Sequence, residues 1–328
     1  MHQTLVSASA ERGAVMLSTA LGLEIGRWLE DDQIADILLN PDGRLWLDRL
    51  DGGLIDTGRR IEAADAERII RLVADHVRLK ADAAHPRLSA VLPGGGERFE
   101  GLLPPLAAAP CFSIRKPAGQ VWRLDRYVAD GVMGKAAAAC LVAAVRERRN
   151  ILVAGPTASG KTTLANALLA EIEVVNERVV LIEDTPELQC PAPNLVAMRT
   201  REGIASLRDL VRSTLRMRPD RIIVGEVRGA EALEMIKAWG TGHPGGIATI
   251  HAGDTPGALR RMEQLVQEAV VRVSRDQIAD AVDLVVVIEG RGRARRLREI
   301  VEVKGLEVDG GYRLVSALAA NAIEEVAA

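Results

Sequence analysis

The run Gly155, Pro156, Thr157, Ala158, Ser159, Gly160, Lys161, Thr162 fits the pattern G-x-x-x-x-G-K-[ST] without a gap. It follows the apolar stretch Ile151 to Ala154 and leads into a helix-like segment, KTTLANALLAEI, whose second threonine is Thr163. Glycines in such a turn let backbone N–H groups fold into a nest around phosphates, and the helix N-terminus adds positive potential. Residues 155–163 are therefore the expected nucleotide contacts. Lys161 is placed to reach β- and γ-phosphates, and the Thr162 hydroxyl is placed on Mg²⁺.

Two further segments put acids at the ends of apolar runs. LIEDTPEL carries Glu183 and Asp184, and RIIVGEVRG carries Glu226 after Gly225. In an open α/β sheet the carboxyl ends of strands are where ligands bind, so both acids are expected to face the glycine-rich loop. Asp184 or Thr185 has a second reading as a helix N-cap, with Pro186 at the first helical position. Glu226 leaves a buried strand, where an unpaired carboxylate is costly. It is long enough to sit over Mg²⁺-bound water or to polarise an attacking water. Gly225 offers room for close approach of backbone or nucleotide.

GTGHPGGIATIHAGD brackets a third apolar run with His243 and His251. A neutral histidine can donate to a γ-phosphate oxygen and report its loss. Spacing and surrounding chemistry argue against zinc, since no third and fourth ligand stands nearby. Spread charge on a transferring phosphoryl group calls for cations. Arg115 in SIRKP and Arg98 beside a glycine-rich tip are candidates, as are Arg216 and Arg218.

The elements that must hold these groups divide in two. From about residue 128 onward, strand-like and helix-like segments alternate through NILVAG, VVLIED, RIIVGE and GIATIHA, which predicts a mainly parallel sheet with helices on both faces. Residues 1–117 read differently, as a smaller α+β domain. It has a helix over 14–30, strands in ADILLN and RLWLDRL, a helix over 64–79, a hairpin over residues 87–106 and a strand in CFSIRKP. Residues 118–127 read as a linker before a second domain over 128–328 that carries the glycine-rich loop.

Composition narrows the function classes. With 328 residues, 48% hydrophobic and 27% charged, the chain has enough apolar surface for two globular domains. A formal net charge of −3 gives no bulk drive toward nucleic acid, and 2% aromatics leave few residues for base stacking. The basic run RGRARRLR, residues 291–298, reads first as a solvated face. Three cysteines without C-x-x-C spacing exclude a disulfide framework and fit a reducing compartment. No run has the length of a membrane span, and no signal-peptide pattern is present, so a cytoplasmic protein is expected.

In order, GPTASGKT, LIEDTPEL, LRMRPDRIIVGEVRG and GTGHPGGIATIHAGD resemble the Walker A, Asp box, Walker B and His box of the secretion ATPases of type II and type IV secretion and type IV pili. NPDGRLW and CFSIRKP make the first domain similar to the type IV secretion and conjugation branch, and the lack of a tetracysteine insert points away from the type II branch. The resemblance implies a RecA-like, ATP- and Mg²⁺-dependent ATPase working as a homohexamer. It implies a peripheral place at the cytoplasmic face of the inner membrane, partners in the secretion channel, and a role in pilus assembly and DNA or protein transfer. By position, Glu183 and Glu226 share water activation and metal positioning, with Thr162 and Glu226 on the metal. His251 couples hydrolysis to motion, and Arg115, with Arg98 less closely, reaches the nucleotide. The alternative is a hexameric helicase or translocase acting directly on DNA. A scaffold that binds nucleotide without turnover is disfavoured by the two strand-end acids.

Overall fold

The computed structural model describes residues 2–50, 52–117, 121–172, 177–201 and 203–318, with side chains from Gly13 onward. The chain divides into two compact units, Met1–Gly119 and Gln120–Ala328.

The first unit is built on one antiparallel sheet. Helix α1 (His2–Glu30) leads into β1 (Ile34–Leu39), β2 (Arg44–Arg49) and β3 (Gly53–Arg60). Then come α2 (Ala63–His76), β4 (Arg87–Val91), β5 (Arg98–Leu102) and β6 (Cys111–Arg115), in the sheet order β3-β2-β1-β6-β5-β4. The turn between β1 and β2 needs Gly43 twice over. Its φ is +81°, and a Cβ there would stand 2.8 Å from the Ile61 carbonyl oxygen. Helix α1 runs longer than the expected 14–30 and contains non-helical backbone at Gly22.

One face of this sheet is covered by α1 and α2. Ile69, Ile70 and Val73 of α2 recur at helical spacing and pack on Ile37, Leu45, Phe99 and Ile114. Each such side chain contributes about 1.5–3 kcal/mol by leaving water. Strand β3, not anticipated from the sequence, is an edge with no buried position.

The second unit has eight strands in the order β14-β13-β12-β7-β11-β10-β8-β9. Helices α3 (Leu124–Ala129) and α4 (Lys135–Arg146) precede β7 (Ile151–Gly155) and α5 (Lys161–Leu169). There follow β8 (Arg178–Glu183), β9 (Asn194–Arg199), α6 (Leu207–Thr214), β10 (Arg221–Val224), α7 (Glu231–Gly240) and β11 (Ile247–His251). The chain closes with α8 (Thr255–Gln267), α9 (Arg275–Ala281), β12 (Leu284–Glu289), β13 (Arg296–Leu306) and β14 (Tyr312–Ser316). Pairings among β12, β7, β11, β10, β8 and β9 are parallel, and β13 and β14 add antiparallel.

Apolar residues on both sides of each strand explain why helices cover both faces. Leu152 and Ala154 face a core shared with α6, α7, α8 and α9, whereas Ile151 and Val153 face one shared with α3, α4 and α5. Asn150, 3% exposed, locks the amino edge: its amide donates to Ala281 O at 2.9 Å and accepts from Gly246 N at 2.8 Å. The expected linker falls partly on α3, and its first residues, 118–120, lie outside the described residues.

Candidate functional site

Register brings the candidate groups of the second unit to one edge. β7 and β11 are parallel neighbours, with His251 opposite Gly155, so the last residue of one strand stands beside the start of the glycine-rich loop. Loop 155–160 turns through left-handed backbone at Ala158 (φ 62°) and Gly160 (φ +95°). A Cβ on Gly155 would stand 2.3 Å from Ile288 O, so only glycine lets the loop leave β7 against β12. Gly160 is the N-cap residue of α5, and no side chain caps that helix. Its first amides are left for a ligand. Ser159 Oγ is buried here without a hydrogen-bond partner.

Lys161 begins α5, and its Nζ donates to Pro156 O at 3.1 Å while standing 3.1 Å from His251 Nδ1. The other ring nitrogen, Nε2, is 2.9 Å from Glu226 Oε1. Lys161 has only donors, so Nδ1 accepts and Nε2–H donates, which is the neutral tautomer. Burial lowers the His251 pKa, the Lys161 charge lowers it further, and Glu226 opposes both. Burial also brings Lys161 down to about 8, against the pull of Glu226 and Glu187. Ammonium, imidazole and carboxylate thus form one chain of contacts along the loop.

Glu226 is steered there by its neighbours. Gly225 N donates to Ile182 O at 2.9 Å and Val227 N to Thr249 O at 2.9 Å, while Thr249 Oγ1 donates to Gly225 O at 2.7 Å. The backbone past β10 is stitched to β8 on one side and β11 on the other, and Glu226 projects between them.

Glu183 is 5% exposed at the end of β8. Burial pushes its carboxyl up to about 7, although Glu187 N and Leu188 N donate to Oε1 at 3.0 and 2.8 Å. The backbone-capping role considered for Asp184 therefore falls to Glu183. No helix starts after Asp184, which instead pairs with Arg228 and accepts from Thr200 Oγ1 at 2.9 Å. The space expected at Gly225 serves Glu183 as well, since a Cβ there would stand 2.9 Å from Glu183 Cγ. An open cavity of about 630 Å³ lies beyond these acids, lined among others by Asp184, Thr200, Arg201, Ser206, Arg228 and Glu231.

Other expected residues stand elsewhere. His243 and His251 do not share an edge: His243 precedes β11, at its amino end, and its Nδ1 lies 3.2 Å from Ala238 O. His251 is the last residue of β11, so the length of that strand lies between the two histidines. Arg98 and Arg115 belong to the first unit, where they face each other across β5 and β6. Arg115 clamps Asp36 with two bonds, Nε to Oδ1 at 2.7 Å and Nη2 to Oδ2 at 3.1 Å.

Two arginines of the basic run, expected on a solvated face, pack on the glycine-rich loop. Arg291 Nη2 donates to Thr157 O at 3.3 Å, and Arg295 lies against Gly160. The sequence signal for them is a basic cluster just after the apolar run LVVVI, which forms β12 up to Glu289 at the same carboxyl edge.

Thr162 and Glu226 suit Mg²⁺, which keeps several waters and takes one or two protein oxygens beside substrate phosphates. Among the described residues, no group of three or more His, Cys, Asp or Glu forms a protein-only metal cage. No described helix is long and apolar enough to cross a membrane.

Residues 34–294 match the family of type II/IV secretion system proteins. The chain is 47% identical to the conjugal transfer protein TrbB of Rhizobium radiobacter over 88% of its own length and 90% of that protein. It is 33% identical to the type IV secretion system protein VirB11 of Bartonella quintana, covering 82% and 86%. Its fold is similar to the pilus retraction motor PilT with bound ADP, at a TM-score of 0.62, 19% identity and coverage of 91% and 83%. With the match spanning both units, the chain belongs to the type II/IV secretion system protein family and is homologous to the type IV secretion ATPases of conjugal transfer.

Proposed function

We propose that this protein is a Mg²⁺-dependent ATP hydrolase with a RecA-like core. It works as a homohexameric motor for pilus assembly and substrate transfer in a conjugative type IV secretion system, at the cytoplasmic face of the inner membrane. The observation that carries the proposal is the Lys161–His251–Glu226 chain of contacts laid along a glycine-rich loop with uncapped helix amides. The TrbB and VirB11 similarities support the secretion setting, and the PilT fold supports a nucleotide motor.

In this mechanism residues 155–163 bind the phosphates of ATP through backbone amides and the Thr162 hydroxyl. Bound with them, Mg²⁺ supplies charge neutralisation, and Thr162 and Glu226 are the residues that hold it. Lys161 exchanges its contacts with Pro156 O and His251 for the terminal phosphate. His251, freed at Nδ1 and still donating to Glu226, keeps that carboxylate oriented toward the attacking water. Loss of the γ-phosphate restores the Lys161–His251 contact, so the pair reports the hydrolytic state. Glu183 shares the polarisation of water with a carboxyl poised near neutrality. Arg115 and Arg98, both of the first unit, are the further cations proposed for the nucleotide.

Particle mass measured with and without ATP, alongside phosphate release, tests the proposal. A ring-sized particle with slow, Mg²⁺-dependent release is expected. An active monomer, or a ring that releases no phosphate, would overturn it.

A further inference from the structure

The two arginines on the glycine-rich loop approach it from the side opposite the Lys161 network. β7 lies between β11, which carries His251, and β12, which leads into the 290–295 turn. This turn fits tightly: Gly290 has φ +78°, and a Cβ there would stand 2.0 Å from Ala294 O. Arg291 holds Thr157 O from it. Arg295 lies so close to Gly160 that a Cβ there would stand 2.8 Å from Arg295 Nε and 2.9 Å from its Cζ. The Arg295 guanidinium also stands 5.7 Å from the Trp122 ring centroid, with Arg126 4.8 Å from the same ring.

This is an unfavourable place for a cation without a counter-ion. The first amides of α5 carry partial positive charge, Lys161 stands in the same turn, and like charges at short range repel. No carboxylate pairs with Arg291 or Arg295 among the described residues, although Arg126 has Asp130 and Arg296 has Glu289. Arg295 Nε is buried with no hydrogen-bond partner, and so is Ser159 Oγ, on a residue only 1% exposed within the loop. Clustered positive charge with unmet donors is relieved by an anion that accepts several hydrogen bonds at once.

We propose that Arg295 is a polyphosphate-binding residue of this chain, contributing a second cation on the side of Gly160 away from Lys161. The inference rests on the nucleotide reading above and extends it to a residue outside the four motifs. Lys161, His251 and Glu226 mark the terminal-phosphate end of the loop, so Arg295 serves the phosphates nearer the nucleoside. Stacking on Trp122 holds the guanidinium in place before the ligand arrives, which lowers the ordering cost on binding. Arg291 is a positioning residue that fixes the loop at Thr157.

The test is displacement of a fluorescent ADP analogue from the full chain by ADP, inorganic pyrophosphate and adenosine, with the melting temperature recorded without ligand. Relative to wild type, Arg295→Gln is expected to weaken ADP and pyrophosphate about tenfold, leave adenosine unchanged and hold melting within about 3 °C. Arg295→Lys keeps the charge and is expected to recover part of the pyrophosphate affinity. Should Arg295→Gln not fold, the lysine variant alone decides: about two- to fivefold weaker pyrophosphate supports the role, and wild-type affinity overturns it. Unchanged pyrophosphate binding in Arg295→Gln overturns the inference. So does a loss confined to ADP and adenosine, which would mean a contact to the base, and so does lowered melting with unchanged affinity. Wild-type protein that binds neither ADP nor pyrophosphate would instead refute the underlying nucleotide reading, and this inference with it.

Discussion

The two sheets use similar apolar alphabets and end up chemically opposite. In the first unit, neighbouring strands run antiparallel, so each edge mixes strand beginnings and endings, and its polar groups close on one another, as Arg115 does on Asp36. In the second, six parallel strands end together, and β7, β8, β10 and β11 bring Lys161, Glu183, Glu226 and His251 to one edge. Helix N-termini start from that same edge and add their potential to it. Chemistry concentrates where strand direction forces endings to coincide. The exposed strand β3 of the first unit has no such convergence.

That contrast predicts large functional and small structural effects at the parallel edge. Lys161→Ala is expected to abolish phosphate release while the protein still folds; wild-type-like release would break the comparison at its centre. Glu226→Gln is expected to bind ATP yet hydrolyse it at least about tenfold more slowly, about 1.4 kcal/mol on the barrier. Single-turnover release measured beside nucleotide binding separates the two effects.

Glu183→Gln sharpens the comparison through pH. The Glu183 carboxyl is raised from 4.5 to about 7 in the folded chain, so between those values the native state holds a proton that the unfolded chain has released. Stability therefore falls as pH rises through that window. Glutamine escapes the loss: its variant should match wild type near pH 4.5 and exceed it by about 3 kcal/mol at pH 8, read by denaturant melts. A pH-independent difference would assign Glu183 to packing alone. At the small end, Leu54→Lys on β3 should move stability by less than about 0.5 kcal/mol and leave phosphate release unchanged, because Leu54 is 58% exposed.

Legibility followed the range of the interactions. The glycine-rich loop, the helix behind it and the strands β7, β8, β10 and β11 were readable because apolar runs and turn chemistry are encoded within ten residues. Helix α2 and the β4–β5 hairpin were readable for the same reason. Strands β3, β9 and β14 were not, since their exposed or mixed faces leave weak periodicity. His243 and His251 flank one apolar run in the sequence, and only strand direction tells which edge of the sheet each occupies.

The amino-acid sequence by itself determined the secretion family, the glycine-rich loop and the acids and histidine that accompany it, because each sits in a short contiguous motif. Tertiary structure alone decided how they divide their work. It gave Glu183 two backbone amides to hold, joined His251 to both Lys161 and Glu226, and carried Arg291 across 134 residues onto Thr157. The physical reason is that strand order and register are set by burial across the whole sheet, and no local pattern encodes which distant loop will land beside a given strand end.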